Sequence, residues 1–265
     1  MLNTTFHIYL ISRWKSIAVW SICMIALALV FTAIYDSFKG EFTDMLDNAP
    51  KLMEAMLGPI PTDSIISPEI WLGIELYGLL FPIMFAAIAV SAGASAVGSE
   101  EDSGTIELVL ASPISRERII LEKSIGILAQ LAIISGCLWI GVAIGSFFFP
   151  FNVSLFNVLC ATISGCLFGL TISYVTLATQ AFKGRKSLAL ATGSGFIGVS
   201  YIFKVLSGLS NNLHWLKYAS LFNYYDGPGV LVSGLNETNL IIMIGLSAIC
   251  FIAALYGFKR RDIGI

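Results

Sequence analysis

"SEEDSGTIELVLASPISRERIILEK", residues 99–123, is the most polar run in a chain that is otherwise largely apolar. It carries six acids, Glu100, Glu101, Asp102, Glu107, Glu117 and Glu122, and three bases, Arg116, Arg118 and Lys123, broken by the single Pro113. Of the 265 residues, 57% are hydrophobic and 12% charged, with a mean hydropathy of +0.84, whereas a soluble domain is about 25% charged. Such a composition belongs to an integral membrane protein, and the polar run is then a loop in water between two membrane-spanning segments. The apolar stretches that flank it must satisfy their own backbone groups in lipid, which a helix does locally.

A span needs about 20 mainly apolar residues to cross roughly 30 Å of hydrocarbon. Six stretches qualify, near 16–35, 71–97, 124–149, 155–179, 188–209 and 240–258. The expected fold is therefore all-α: one transmembrane domain over 1–265 with six helices. Arg13, Lys15, Arg116, Arg118, Lys123, Lys183, Arg185, Lys186, Lys259, Arg260 and Arg261, 11 of the 15 basic residues, fall on one side of this topology. By the positive-inside rule that side is cytoplasmic, so both termini and the 99–123 loop are expected inside a cell membrane. A net charge of −2 gives no basic face for a nucleic acid.

Three further segments read as interfacial. Residues 1–15 mix Phe6, Ile8, Ile11 and Trp14 with Arg13 and Lys15, the pattern of an elbow helix at the inner headgroups. The extracytoplasmic loop 36–70 places Phe38, Phe42, Met45, Leu46, Met53 and Met56 at near-helical spacing among acids. The loop 210–237 contains "LHWLKYASLFNYYDGPG" (213–229), whose aromatics and turn signal fit either an outer aromatic belt or a re-entrant hairpin.

Within 99–123, Ser99 is expected to cap a helix whose first turn holds Glu100, Glu101 and Asp102, with Ile106, Val109 and Leu110 as a short apolar stripe. Pro113 ends it, and Ser115 caps a second helix beginning at Arg116. This is either an inert corner at the membrane surface or an element that docks into a groove on a soluble partner. Its acids, Gly104-Thr105, Glu107, apolar run, Pro113, Ser115-Arg116 and final Lys123, set between the second and third spans, resemble the signature of the ABC-2-type permeases, the membrane subunits of type V ABC exporters. The six spans, the amphipathic start, the aromatic outer loop and the basic tail "KRRDIGI" extend the resemblance over the whole chain.

The resemblance implies that 99–123 contains a coupling helix docking on a separate ATP-binding subunit through Glu100, Glu101, Gly104, Thr105, Ile106, Glu107, Leu110, Pro113 and Arg116. It also implies two copies of that subunit and a second permease, so that the pair of permeases encloses the substrate route. ATP and Mg would bind the partner, because "GRKS" at 184–187 lacks the spacing of a phosphate-cradling P-loop. No cofactor and no catalysis is expected on this chain: His7 and His214 lie on opposite sides without a nucleophile or metal cluster. The five cysteines sit in apolar runs and read as packing residues.

Glu75 and Lys204 are the ionisable groups nearest the membrane interior. They either snorkel to the interface or, with Pro82, Phe222 and Tyr225, line the substrate route and outer gate. Pro82 should also kink the second span. Gly141-x-x-x-Gly145 and Gly165-x-x-x-Gly169 permit close helix packing, and "GSGFIG" (193–198), inside a span, is packing or a bend rather than a dinucleotide motif. The reading is an exporter of amphipathic or lipophilic substrates of the peptide or antibiotic class. Its rivals are an ABC-linked immunity or sensor subunit and an ion-driven secondary transporter.

Overall fold

The computed structural model describes residues 4–47, 67–104 and 115–261. Every regular element among them is helical, and six helices are long and apolar enough to cross a membrane. In chain order these are α1 (Thr4–Asp47), α2 (Pro68–Asp102), α3 (Arg116–Phe148), α4 (Leu155–Lys183), α5 (Lys186–Leu209) and, after two short helices α6 (Leu221–Tyr225) and α7 (Gly227–Ser233), α8 (Glu237–Arg260). They alternate in direction, so the start of α1, the end of α2, the start of α3, the α4–α5 turn and the end of α8 share one end of the bundle, here the basic end. The α6–α7 hairpin lies at the other.

The core is α2 and α4, the two helices whose most apolar windows are 67% and 61% buried, against 17–22% for α1, α5 and α8. Packing here uses small residues and hydroxyls, because lipid competes with side chains for apolar contact. Phe81 and Phe85 of α2 stack at 4.8 Å and press on Gly165 and Gly169 of α4. Ser173 donates to the Ala89 carbonyl (2.9 Å), Tyr77 exchanges a hydrogen bond with Thr162 (2.8 Å), and Thr171 pairs with Ser247 of α8 (2.8 Å). Gly141 and Gly145 of α3 admit Ala28 and Thr32 of α1, so both expected small-residue motifs serve contacts within the chain. Of "GSGFIG", only Gly193 is packed, against Thr176 and Val90; Gly195 and Gly198 face open space.

Two expectations need correction. The elbow at 1–15 is not a separate helix: residues 4–15 are the opening turns of α1, uninterrupted over 44 residues, or about 66 Å at 1.5 Å per residue. Nothing from Thr4 to Lys15 is a glycine or proline that would break it. Where a kink is expected at Pro82 the structure has a nine-residue π-helical stretch, Leu72–Leu80, immediately before the proline. Proline has no N–H and its ring clashes with the carbonyl four residues back. Widening the preceding turns, with Phe81 N–H bonded to the Leu76 carbonyl five back, absorbs that clash without interrupting the span.

Candidate functional site

The sequence places Ser99 at the start of a helix, but the structure carries α2 straight through it to Asp102, with the Ser99 hydroxyl donating to the Ser95 carbonyl at 2.6 Å. No proline lies between Ala94 and Asp102, and Gly98 is packed inside the helix; the helix ends where Gly104 takes the left-handed conformation (φ 67°). Glu100, Glu101 and Asp102 therefore sit at the carboxyl end of a helix, where its dipole disfavours negative charge.

Each acid is met by a cation from a different element. Glu100 pairs with Lys123 of α3 at 2.5 Å, and Lys123, buried to 1% exposure, also donates to the Ala96 carbonyl. Asp102 faces Lys186 of α5 at 3.5 Å. Glu101 receives both the guanidinium of Arg261, just beyond α8, and the Gln180 amide of α4 (2.5 Å). Arg261 donates a second bond to the Gln180 carbonyl (3.0 Å), and its own carbonyl accepts from Arg116 (2.8 Å). Lys259 reaches Glu117 at 2.7 Å on the surface.

Glycine makes room for this clamp: at Gly184, left-handed at φ 63°, a Cβ would strike the Arg261 guanidinium at 2.6 Å. On its flank, Glu122, 3% exposed, accepts from Thr5 of α1 and from Arg118 at 2.9 Å. The clamp thus joins the ends of α1, α2, α3, α4, α5 and α8 at one place. Ser115 caps α3 as the sequence predicts, its hydroxyl oxygen accepting from Arg118 N–H at 3.3 Å. Ser115→Ala is expected to cost about 1 kcal/mol, read as faster amide exchange confined to the first turn of α3.

Of the docking residues read from sequence, Glu100, Glu101 and Arg116 meet in the clamp, while Gly104 ends α2. Thr105, Ile106, Glu107, Leu110 and Pro113 lie outside the described residues. Lys186, Gln180 and Arg261 escaped the sequence reading. Their basic or polar character at span ends is visible, but their acid partners, Asp102 and Glu101, are not, because these lie up to 160 positions away.

At the other end, the α6–α7 hairpin packs into the bundle. Phe222 and Tyr225, expected at an outer gate, are buried at 6% and 3% exposure, each ring 5.0 Å from that of Phe168. Phe168 is thirteen residues into α4, about 20 Å along its axis. Tyr225 donates to the Tyr77 carbonyl (2.8 Å) and its own carbonyl accepts from Ser164 (2.6 Å), while Pro228 covers Gly73 and Gly78 on the π-helical stretch. Lys204 lies over the Phe222 ring (5.9 Å) and within the electrostatic reach of Asp226. Glu75 is half-buried on the π-helical stretch. Burial pushes the Asp226 carboxyl above its ordinary range, and the Gly229 N–H and Lys204 pull it partly back. Among the described residues no group of His, Cys, Asp and Glu could hold a metal.

Six alternating apolar helices joined by a part-buried ion cluster at one end define a multi-pass membrane protein. Residues 9–263 match the family model described as ABC-2 family transporter protein, and the chain belongs to that family. It is also similar to the uncharacterized protein YhcI of Bacillus subtilis (strain 168), at 27% identity over 210 residues, which is 69% of this chain and 66% of that protein.

Proposed function

We propose that the chain is the permease subunit of an ATP-driven ABC exporter, moving an amphipathic or lipophilic substrate of the peptide or antibiotic class out of the cytoplasm or inner leaflet. The observation that carries this reading is the clamp. The 99–123 loop leaves from α2 and returns into α3, and those two ends are tied by Glu100–Lys123 to each other, by Asp102–Lys186 to α5 and by Glu101–Arg261 to the tail of α8. A push on residues 103–115 would move these ends together, which suits a part that receives force from a separate ATP-binding subunit holding ATP and Mg.

The concentration of basic residues at this end supports placing it, with both termini, in the cytoplasm of a cell membrane. The hairpin then enters the bundle from the outer side as a re-entrant element. Two ATP-binding subunits and a second permease complete the transporter; α5, whose window is 17% buried and whose Gly195 and Gly198 face open space, offers an unfilled face for that pairing. The spans hold few fixed charges for coordinating a small ion, which favours a substrate with apolar bulk.

Reconstitution with the ATP-binding subunit in vesicles should give ATP-dependent efflux from a panel of labelled peptides and lipophilic antibiotics. Transport by the chain alone, driven by a sodium gradient, would overturn the reading, and ATP hydrolysis without movement of any panel member would favour a sensor. Ile106→Glu or Leu110→Glu should abolish co-purification of the ATP-binding subunit while leaving membrane insertion intact, because a charge in a desolvated anchor position costs several kcal/mol. Association that survives both changes removes the loop as the docking element.

A further inference from the structure

A cavity of about 400 Å³ opens at the hairpin end. Its walls come from four elements: Gly78 of α2, Lys204 and Ser207 of α5, the α6–α7 hairpin with Asp226, and Asn239 in the first turn of α8. Lys217 and Tyr218 of the 3₁₀ segment Asn211–Ala219 close it.

Two ammonium groups face one carboxylate here. Asp226, whose charge interacts with that of Lys204, is the one acid among the described residues lining the cavity, so Lys217, 2.8 Å from His214 Nε2, leaves a net positive charge there. The side-chain amides of Asn223 and Asn239 add donors. The amino-terminal turn of the 24-residue α8 lies on the same side, with its Thr238 and Asn239 N–H groups already capped by the Asn236 side chain and with Glu237 in its first turn. Among the side chains that line the cavity the charges sum to a net positive one, which favours a negative ligand.

The mouth has a second character. Tyr218, a wall of the cavity, and nearby Trp215 are each 64% exposed, and such aromatics settle where headgroups meet acyl chains. Phe222 and Tyr225 form an apolar floor. At about 400 Å³ the space exceeds a bare phosphate and falls in the range of sites that enclose a larger ligand.

We infer that this cavity binds the anionic headgroup, phosphate or carboxylate, of an amphiphile whose apolar part leaves past Tyr218 and Trp215 into the bilayer. Lys204, over the Phe222 ring, and Lys217 hold the headgroup. This rests on the proposed outward route only for its place in transport; the site itself is tested by binding, without ATP or efflux.

The test is native mass spectrometry of the purified full chain released from dodecyl maltoside micelles doped with dodecyl phosphate. One dodecyl phosphate should stay bound per chain. Its apparent affinity should fall about tenfold or more in Lys204→Gln and in Lys217→Gln, the loss expected for one charge-assisted hydrogen bond. Lys204→Arg should retain it, which guards against a misfolded Lys204→Gln, and Lys15→Gln, at the basic end, should match the parent. Equal retention of dodecyltrimethylammonium, equal affinity for inorganic phosphate, or binding unchanged by both glutamine substitutions would each overturn the inference. A chain that binds dodecyl phosphate but shows no ATP-driven efflux would refute the exporter reading and leave the site standing.

Discussion

Arg261→Ala should lower the stability of the purified protein by about 3 kcal/mol, the low end of the cost of removing one member of a buried ion pair, because this pair is part-buried. Glu101 and Arg261 are 10% and 16% exposed, so neither is rescued by water when the other goes. The substitution leaves Glu101 at the carboxyl end of α2, where the dipole adds to the penalty. It also strips the Gln180 carbonyl of its 3.0 Å donor. Denaturation in mixed maltoside–dodecyl sulfate micelles, followed by loss of helical circular dichroism, measures the effect. Because the penalty is an orphaned charge, the double variant Arg261→Ala/Glu101→Gln should be more stable than Arg261→Ala alone. The surface pair is the internal control: Lys259 and Glu117 are 67% and 56% exposed, and Lys259→Ala should cost at most about 1 kcal/mol. Equal losses at the two positions would mean that the clamp is merely a set of surface charges.

The same contrast explains what the sequence could disclose. Apolar length alone locates the six spans, since lipid imposes the rule and no tertiary contact can override it. Two of their ends shift outward by five and eight residues, to Asp102 and Arg116, because charged residues that pair with one another remain helical past the apolar stretch. The cap at Ser115 is local and was legible; the one expected at Ser99 was not, because a serine followed by acids reads as a helix start until Lys123, Lys186 and Arg261 are seen to neutralise the acids from elsewhere. Pro82 announced a distortion, though not that a π-helical stretch would absorb it. Lys204 was visible as an ionisable group near the interior, whereas Asp226 hid inside a turn signal, "DGPG", and only folding brings the two to one cavity. The signal for the clamp was present as acids and bases at span ends; what a single sequence lacks is which acid meets which base.

Gly93 presents a packing case with as large an effect. A methyl group there would lie against the Ser173 carbonyl oxygen, well inside van der Waals contact, and 2.8 Å from Thr176 Cβ. Both obstacles belong to α4, and one is backbone, so no rotamer change relieves the clash. Gly93→Ala must therefore push α2 and α4 apart along the seam where Ser173 donates to Ala89 at 2.9 Å and Thr162 meets Tyr77 at 2.8 Å. Overpacking costs about 1–3 kcal/mol where side chains can adjust; with a carbonyl as the obstacle the loss should reach or exceed the upper end, and Gly93→Val should prevent a folded chain from being recovered. Gly245 on α8, with no heavy atom within 4 Å of its Cβ position, should accept alanine with no loss, since alanine is the better helix former. A similar drop at both glycines would show that a general effect of the added methyl on insertion, not the α2–α4 seam, governs stability. If Gly93→Ala alone is damaging, adding Ser173→Gly should not relieve it, because the obstructing oxygen is the carbonyl that every residue carries.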